Sequence, residues 1–166
     1  MGELRNKVID YLQGHNAMSL ATAHDGQAHA ATVFYVNDHL DLYFISSPSS
    51  RHGRHLAANN RIAATVNEDY HNWNDIKGLQ LEGHVEALGP HSEYRDISDL
   101  FVAKFPDTSR FFQNPGDMPD AVANKVAQVQ FYRLRLSSIS YIDNSLGFGH
   151  REELPVEEST PFEEQA

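Results

Sequence analysis

The chain has 166 residues, 40% hydrophobic and 10% aromatic, with a net charge of −10 and no cysteine. One domain with one ordinary core is expected at this length, and disulfides, thiol catalysis and thiolate-held zinc or iron–sulfur groups are excluded. No apolar run approaches the ~18 residues of a membrane span, the first residues lack a signal-peptide core, and an acidic body argues against nucleic acid. A cytoplasmic protein with neither membrane nor nucleic-acid partner is therefore the expectation.

Taken in chain order, residues 3–14 read as an amphipathic helix, with Leu4, Val8, Ile9 and Leu12 at helical spacing and Gly14 as the stop. Residues 17–23 read as a strand and His24-Asp25-Gly26-Gln27 as a hairpin turn. A second strand covers 28–36, Asn37-Asp38 turns, and a third strand returns over 40–46. A short helix beginning near Arg51 is capped by Ser49 or Ser50 and ended by Asn59-Asn60. A fourth strand follows at 61–68, then a polar loop at 69–74 holding Trp73, then a long strand at 76–88 with Gly78 and Gly83 inside it. Residues 92–105 read as a helix capped by Ser92, with Tyr94, Ile97, Leu100, Phe101 and Phe105 as its apolar stripe. Residues 106–120 are loop-like, 120–127 suit a short helix, and 129–136 with 139–142 form a strand interrupted at Ser137-Ser138. Six antiparallel strands with short connections and peripheral helices give a mainly β fold, a small closed or nearly closed barrel.

Charge divides the chain unevenly. Residues 152–166 carry six glutamates and no Lys or Arg, leaving 13 basic against 17 acidic groups elsewhere. The expected organisation is one domain over 1–151 and an acidic, disordered, dispensable tail over 152–166.

The most informative stretch is 42–66: strand, polar loop, short helix, strand. It places serine hydroxyls, Arg51 and free backbone N–H groups at one helix N-terminus, where phosphate binds readily, and Arg51 adds a charged fork. On local pattern alone a capped surface helix with Arg51 in solvent is the alternative. The hairpin of 28–46, then Ser50-Arg51-His52, then Asn59-Asn60-Arg61-Ile62-Ala63-Ala64-Thr65-Val66, then residues 76–86 together resemble the pyridoxamine 5'-phosphate oxidase-like FMN-binding split barrels. The resemblance covers roughly residues 15–90, and Asp143-Asn144-Ser145-Leu146-Gly147-Phe148-Gly149 is similar to the C-terminal motif of a small bacterial subgroup.

That resemblance implies a six-stranded antiparallel split β-barrel of Greek-key type, and a homodimer with FMN at its interface. Backbone groups of Ala31, Thr32 and Val33 would face the isoalloxazine, Ile45 and Ser46 would line the ribityl and phosphate path, and Ser50, Arg51 and His52 would hold the phosphate. Gln80, Asn144 and Phe148 complete the implied cofactor set, Phe148 as a stacking ring. Several departures separate the chain from the oxidase proper: His52 replaces a second cationic ligand, Ala30 an arginine, Tyr35 a substrate-contacting lysine, and the C-terminal Arg–His pair is missing. Pyridoxamine phosphate oxidation is therefore not expected.

Of the ten histidines, His52 and His55 are three apart and can share a helix face, while His24, His29, His39, His71, His84 and His91 read as scattered and solvated. No metal-binding set, no Ser–His–Asp arrangement and no obligatory acid or base is identified, so the catalytic residues are unknown. The expected activity is FMN-dependent electron transfer with an unidentified small molecule. A haem- or flavin-binding storage protein and a deazaflavin-dependent reductase are the alternatives. The aromatic load in Phe101, Phe105, Phe111, Phe112, Phe131 and Tyr132 points to a second copy covering part of it.

Overall fold

The structure is a computed structural model and describes residues 2–156. Helix α1 (Gly2–Gly14) lays Val8 and Leu12 into the main core. Its last turn is tied down from two sides. The Tyr35 hydroxyl donates to Leu12 O at 2.7 Å, and Lys104 Nζ donates to Leu12 O at 3.3 Å and His15 O at 2.6 Å, supplying partners that a helix C-terminus otherwise lacks.

Strands β1 (Ala17–His24) and β2 (Gln27–Asp38) form a hairpin whose two turn residues, Asp25 and Gly26, have φ of 49° and 72°. Positive φ at both positions is what a two-residue hairpin turn needs. The next turn lies at His39-Leu40, two residues later than the Asn37-Asp38 expected, and leads into β3 (Asp41–Ser46). Asn37 Nδ2 donates to His39 O at 3.0 Å, bracing the turn from within the strand.

Helix α2 (Arg51–Ala58) leads to β4 (Arg61–Asn67), and a turn at Trp73–Asp75 leads to β5 (Lys77–Pro90). Helices α3 (Arg95–Lys104), α4 (Ser109–Phe112) and α5 (Asp120–Val126) precede β6 (Gln130–Asp143), and β7 (Arg151–Leu154) follows it. Neighbouring strands are all antiparallel, in the order β3-β2-β1-β4-β5-β6-β7, and β3 also pairs with β6. That last pairing closes a six-stranded barrel from β1 to β6, and the spatial order β4-β1-β2-β3 is a Greek key.

Alternation explains the core. Met18 and Leu20, Ile62 and Val66, Leu79 and Leu81, and Leu134 and Leu136 point inward on their strands. At Gly83 a Cβ would lie 2.1 Å from Arg135 O, so only glycine lets β5 and β6 approach there. The register slips beside it, with Glu82 opposite Ser138 and Gly83 opposite Leu136. The bulged Ser137 is the irregularity read in the sequence.

A second core forms under α3, from Val36, Ile97, Phe101 and Phe131, with Tyr94, Leu100, Phe105 and Phe112 against it. Of the aromatic load, Phe101, Phe131 and Tyr132 are buried within one chain, while Phe105, Phe111 and Phe112 are half-buried. Ser92 does not cap α3: it lies in a separate helical turn, and Tyr94 precedes the helix without a side-chain cap bond. Residues 106–120 include α4 and two further helical turns instead of plain loop.

The expected domain boundary also shifts. Glu152, Glu153 and Leu154 belong to β7, paired with β6, and Leu154 is buried. Residues 157–166, and the disorder expected of them, lie outside the described residues. No helix among the described residues is long and apolar enough to cross a membrane.

Candidate functional site

The barrel has a gap between β2 and β3. The two strands pair only from Tyr35↔Phe44 to Asp38↔Asp41. Beyond that point Ile45 and Ser46 leave with β6, opposite Phe131 and Gln130, while residues 27–34 of β2 pair with β1 alone. Among the described residues, the β2 edge at Ala31, Thr32 and Val33 therefore has no strand partner on its far side. An open edge of this kind presents backbone donors and acceptors to whatever enters.

Helix α2 closes one end of the gap. Its cap is as the sequence indicates: Ser50 Oγ accepts from Gly53 N at 3.0 Å and donates to Ser47 O at 2.7 Å. A Cβ on Gly53 would sit 2.5 Å from Ser47 O and 2.8 Å from Pro48 O, so the loop wraps tightly over the first turn. Ser46 Oγ lies 3.4 Å from Ser50 Oγ and is hydrogen-bonded to His52 Nε2. Arg51 is exposed and donates only to Gln27 Oε1, at 3.4 Å, a long bond that leaves the guanidinium free to turn. The backbone N–H groups of Arg51 and His52 have no partner among the described residues. Ser46, Ser50 and His52 thus converge on one anion-receptive corner near the free β2 edge, with Arg51 opening the same helix and its guanidinium turned to Gln27.

Four histidines gather behind that corner. The His29 and His52 rings are nearly parallel, with centroids 6.4 Å apart, and His55 lies 5.9 Å from both His29 and His24. His55 is buried, and its Nδ1 is hydrogen-bonded to Thr22 Oγ1 at 3.1 Å. Burial, then the neighbouring His29 and His55, hold His52 below the usual histidine range. Burial, then the Arg51 guanidinium, His29 and His24, do the same to His55. The solvated reading of His29 is corrected here, since it is partly covered, whereas His24 is exposed. Thr22 and His29 are cross-strand partners in a hairpin, and α2 lies across them. No group of three or more metal-ligating side chains converges among the described residues.

The outer wall of the barrel is unusually small-featured. Ala30, Ala21 and Ala63 lie in register across β2, β1 and β4, followed by Glu82 and Ser138 on β5 and β6. Beside that row runs Thr32, Ser19, Thr65, Gln80 and Ser140. Gln80 thus shares a face with Thr32 three strands away, about 15 Å at ordinary strand spacing. A shallow trough of about 420 Å³ runs over these residues apart from Thr32, with Arg151 at its rim.

Asn144 and Phe148 lie elsewhere, on the loop after β6. Asn144 Nδ2 donates to Trp73 O at 2.8 Å and its Oδ1 accepts from Gly149 N at 3.0 Å. Both ends of the amide are engaged, so Asn144 braces the loop. Asp143 caps the same loop. Although burial pushes its carboxyl up, Ser145 and Lys77 pull it below the usual carboxylate range. The loop holds out Phe148, 84% exposed, against Trp73, 61% exposed, edge to face with centroids 5.5 Å apart.

Sequence reasoning missed His29, His55 and Thr22 as site neighbours. The signal available was the hairpin register around Asp25-Gly26, which sets Thr22 opposite His29. Tyr35, the counterpart of the oxidase's lysine, is fully buried and turns its hydroxyl to α1, away from the gap.

Solved structures share this architecture. A putative pyridoxamine 5'-phosphate oxidase from Listeria innocua superposes with a TM-score of 0.61 at 15% identity, covering 83% of this chain and 97% of that one. HutZ, a haem storage protein from Vibrio cholerae, gives 0.61 at 15% identity, covering 79% and 88%. In sequence, a UPF0306 protein from Photorhabdus laumondii is 28% identical over 143 residues, 85% of this chain and 88% of that protein. The family model described as pyridoxamine 5'-phosphate oxidase matches residues 4–136, from α1 well into the closing strand β6. The chain belongs to that family.

Proposed function

We propose that the chain binds FMN in the gap between β2 and β3 and is a flavin-dependent oxidoreductase for a small planar or conjugated molecule. The observation that carries this reading is the convergence of Ser46, Ser50 and His52 at the α2 N-terminus, which Arg51 opens, near a β2 edge without a strand partner among the described residues. The residues present fit the group. Hydroxyls, a guanidinium, an imidazole and two free N–H groups suit a phosphate, and the free edge at Ala31, Thr32 and Val33 suits the hydrogen-bonding rim of a flat heterocycle. Bound flavin would supply two-electron transfer, with a nicotinamide or oxygen as the other partner. The chain's own part is to hold the phosphate, present the ring to the β2 edge and keep one face dry.

Two copies assembled through the alanine-rich outer wall would add the remaining members of the expected set. The trough beside Gln80 would lie at such an interface, and the Phe148–Trp73 pair would reach the neighbouring copy. The unused Tyr35 and the missing C-terminal Arg–His pair speak against pyridoxamine phosphate as substrate.

Haem is the second reading, favoured by the histidine cluster and by the fold shared with HutZ. The visible spectrum of the purified protein separates the two, with bands near ~450 nm for flavin and a Soret band near ~400 nm for haem. Arg51→Ala should weaken FMN binding roughly ten- to a hundredfold, the equivalent of a lost hydrogen bond to a charged group, with the fold intact. Arg51→Lys should restore part of it. FMN affinity unchanged in Arg51→Ala would remove the phosphate site from the reading.

A further inference from the structure

The histidine cluster has more positive potential than its surroundings can balance. From β1 it receives His24, from β2 His29, and from α2 Arg51, His52, Arg54 and His55. Among the described residues, the carboxylate paired with it is Asp25 in the hairpin turn, 3.2 Å from His24 Nε2 on the exposed rim. Arg54 is spent on the loop, donating to Ser49 O. His29 therefore faces both His52 and His55, and Arg51 acts on His55, with no acid between them among the described residues.

His52 and His55 resist protonation while the corner is empty. Two imidazolium rings with centroids about 6 Å apart in a half-buried pocket repel. A dianion lodged against Ser46, Ser50 and Arg51 would supply the missing negative charge, since His52 already touches Ser46.

We propose that the anion corner is proton-coupled: His29, His52 and His55 together take up a proton when a phosphate dianion binds, so the phosphate group is held tightly at mildly acidic pH and released as pH rises. The proposal rests on the phosphate-binding reading above and assigns that site its regulation. Linkage fixes the sign. Binding raises the proton affinity of the cluster, so protonation must tighten binding by the same factor. Affinity is greatest below the free protein's depressed histidine value, falls through the window up to the raised bound value, and levels off above it. With one proton coupled, the fall is up to tenfold per pH unit inside that window.

The test measures FMN affinity by flavin fluorescence from pH 5.0 to 8.5, with sulfate as competitor. Sulfate is needed because a phosphate monoester has its own ionisation near pH ~6, whereas sulfate stays a dianion throughout. Calorimetry in two buffers of unequal ionisation enthalpy counts the proton directly on the unaltered protein. Both anions should bind more weakly as pH rises, with net proton uptake. His29→Gln, which leaves the Ser46, Ser50 and Arg51 donors in place, should flatten the profile. A flat sulfate profile without proton uptake overturns the coupling even if FMN binds well. A sloping sulfate profile without FMN binding supports the coupling and overturns the flavin. Binding of neither anion at any pH overturns both.

Discussion

Gly53 is a residue at which helix preference and packing disagree. Alanine would favour the helix by up to about 1 kcal/mol, but its Cβ would meet the Ser47 and Pro48 carbonyls at 2.5 and 2.8 Å. Overpacking against backbone costs about 1–3 kcal/mol, and backbone yields less easily than a side chain. Gly53→Ala should therefore lower the melting temperature by a few degrees, roughly 2–4 °C per kcal/mol at this size, and weaken FMN binding by shifting the Ser47–Ser50 loop. A thermal melt and a flavin titration check both. Lys104 offers a pH signature at the same scale. Burial pulls its ammonium down to about 8, from 10.5 in an exposed lysine. A depressed base means that the folded form sheds its proton first, so between about 8 and 10.5 the fold gains stability as pH rises. Denaturant unfolding of the wild type should show that gain relative to Lys104→Met. The variant should also be weaker at neutral pH, having lost the bonds to Leu12 and His15. The Ser50 cap was legible in the sequence because capping is local. The His29–His52 and Lys104–α1 contacts join residues 23 and about 90 positions apart, and no local pattern records them.

The elements most accurately read are those whose alternation or helical spacing is uninterrupted: α1, the first hairpin, β4, and the stripe of α3. The errors share a cause, a local signal overridden by a distant partner. Ser92 has the right chemistry for a cap, yet the chain first makes a separate turn, and α3 starts only where Ile97 and Phe101 can reach Phe131. Strand β7 was hidden by its composition. Arg151-Glu152-Glu153-Leu154 looks like acidic tail, but β6 offers it a free edge at Ile139–Ile142 and a pocket for Leu154. Ser140 Oγ also lies 2.7 and 2.8 Å from the two carboxylate oxygens of Glu153. Truncation after Arg151 should then be clearly destabilising, since burying one leucine contributes about 1.5–3 kcal/mol and the strand's hydrogen bonds go with it. Truncation after Val156 should leave thermal stability nearly unchanged. A melt of the two shortened chains distinguishes these outcomes, and equal stability would show that β7 contributes nothing.

For the whole molecule, the fold class followed from strand lengths and turn spacing, but the face that would meet a second copy did not. The sequence directed attention to Phe101, Phe131 and Tyr132, which are buried inside one chain. The most exposed large apolar side chains among the described residues are instead Phe34, Trp73, Leu146 and Phe148, and the flat part of the wall is made of alanines. Outward-facing alanine is unremarkable residue by residue, and only the register across three strands reveals the row. If that wall is the dimer interface, Ala21→Arg at its centre should give a folded monomer in sedimentation, because an exposed substitution costs a lone barrel less than about 0.5 kcal/mol. The unaltered chain should sediment as a dimer, with an interface of about 2,000 Å² or more. A dimeric Ala21→Arg would move the interface elsewhere.

The pairing of β3 with β6 has a consequence for how the chain acquires its shape. Leu42 meets Leu134, and every other contact of that ladder spans a similar length of chain. Contacts so far apart are slow to form, because loop closure must precede any gain from them. Emerging from the ribosome, β1 to β5 would complete their hairpins while the ends of the sheet stay unmet. Strand β6 then docks against β5 and β3, and β7 adds to its remaining edge. Until it does, the β3 edge and the second aromatic core stand open to other chains, so misassembly during synthesis is the particular hazard of this topology.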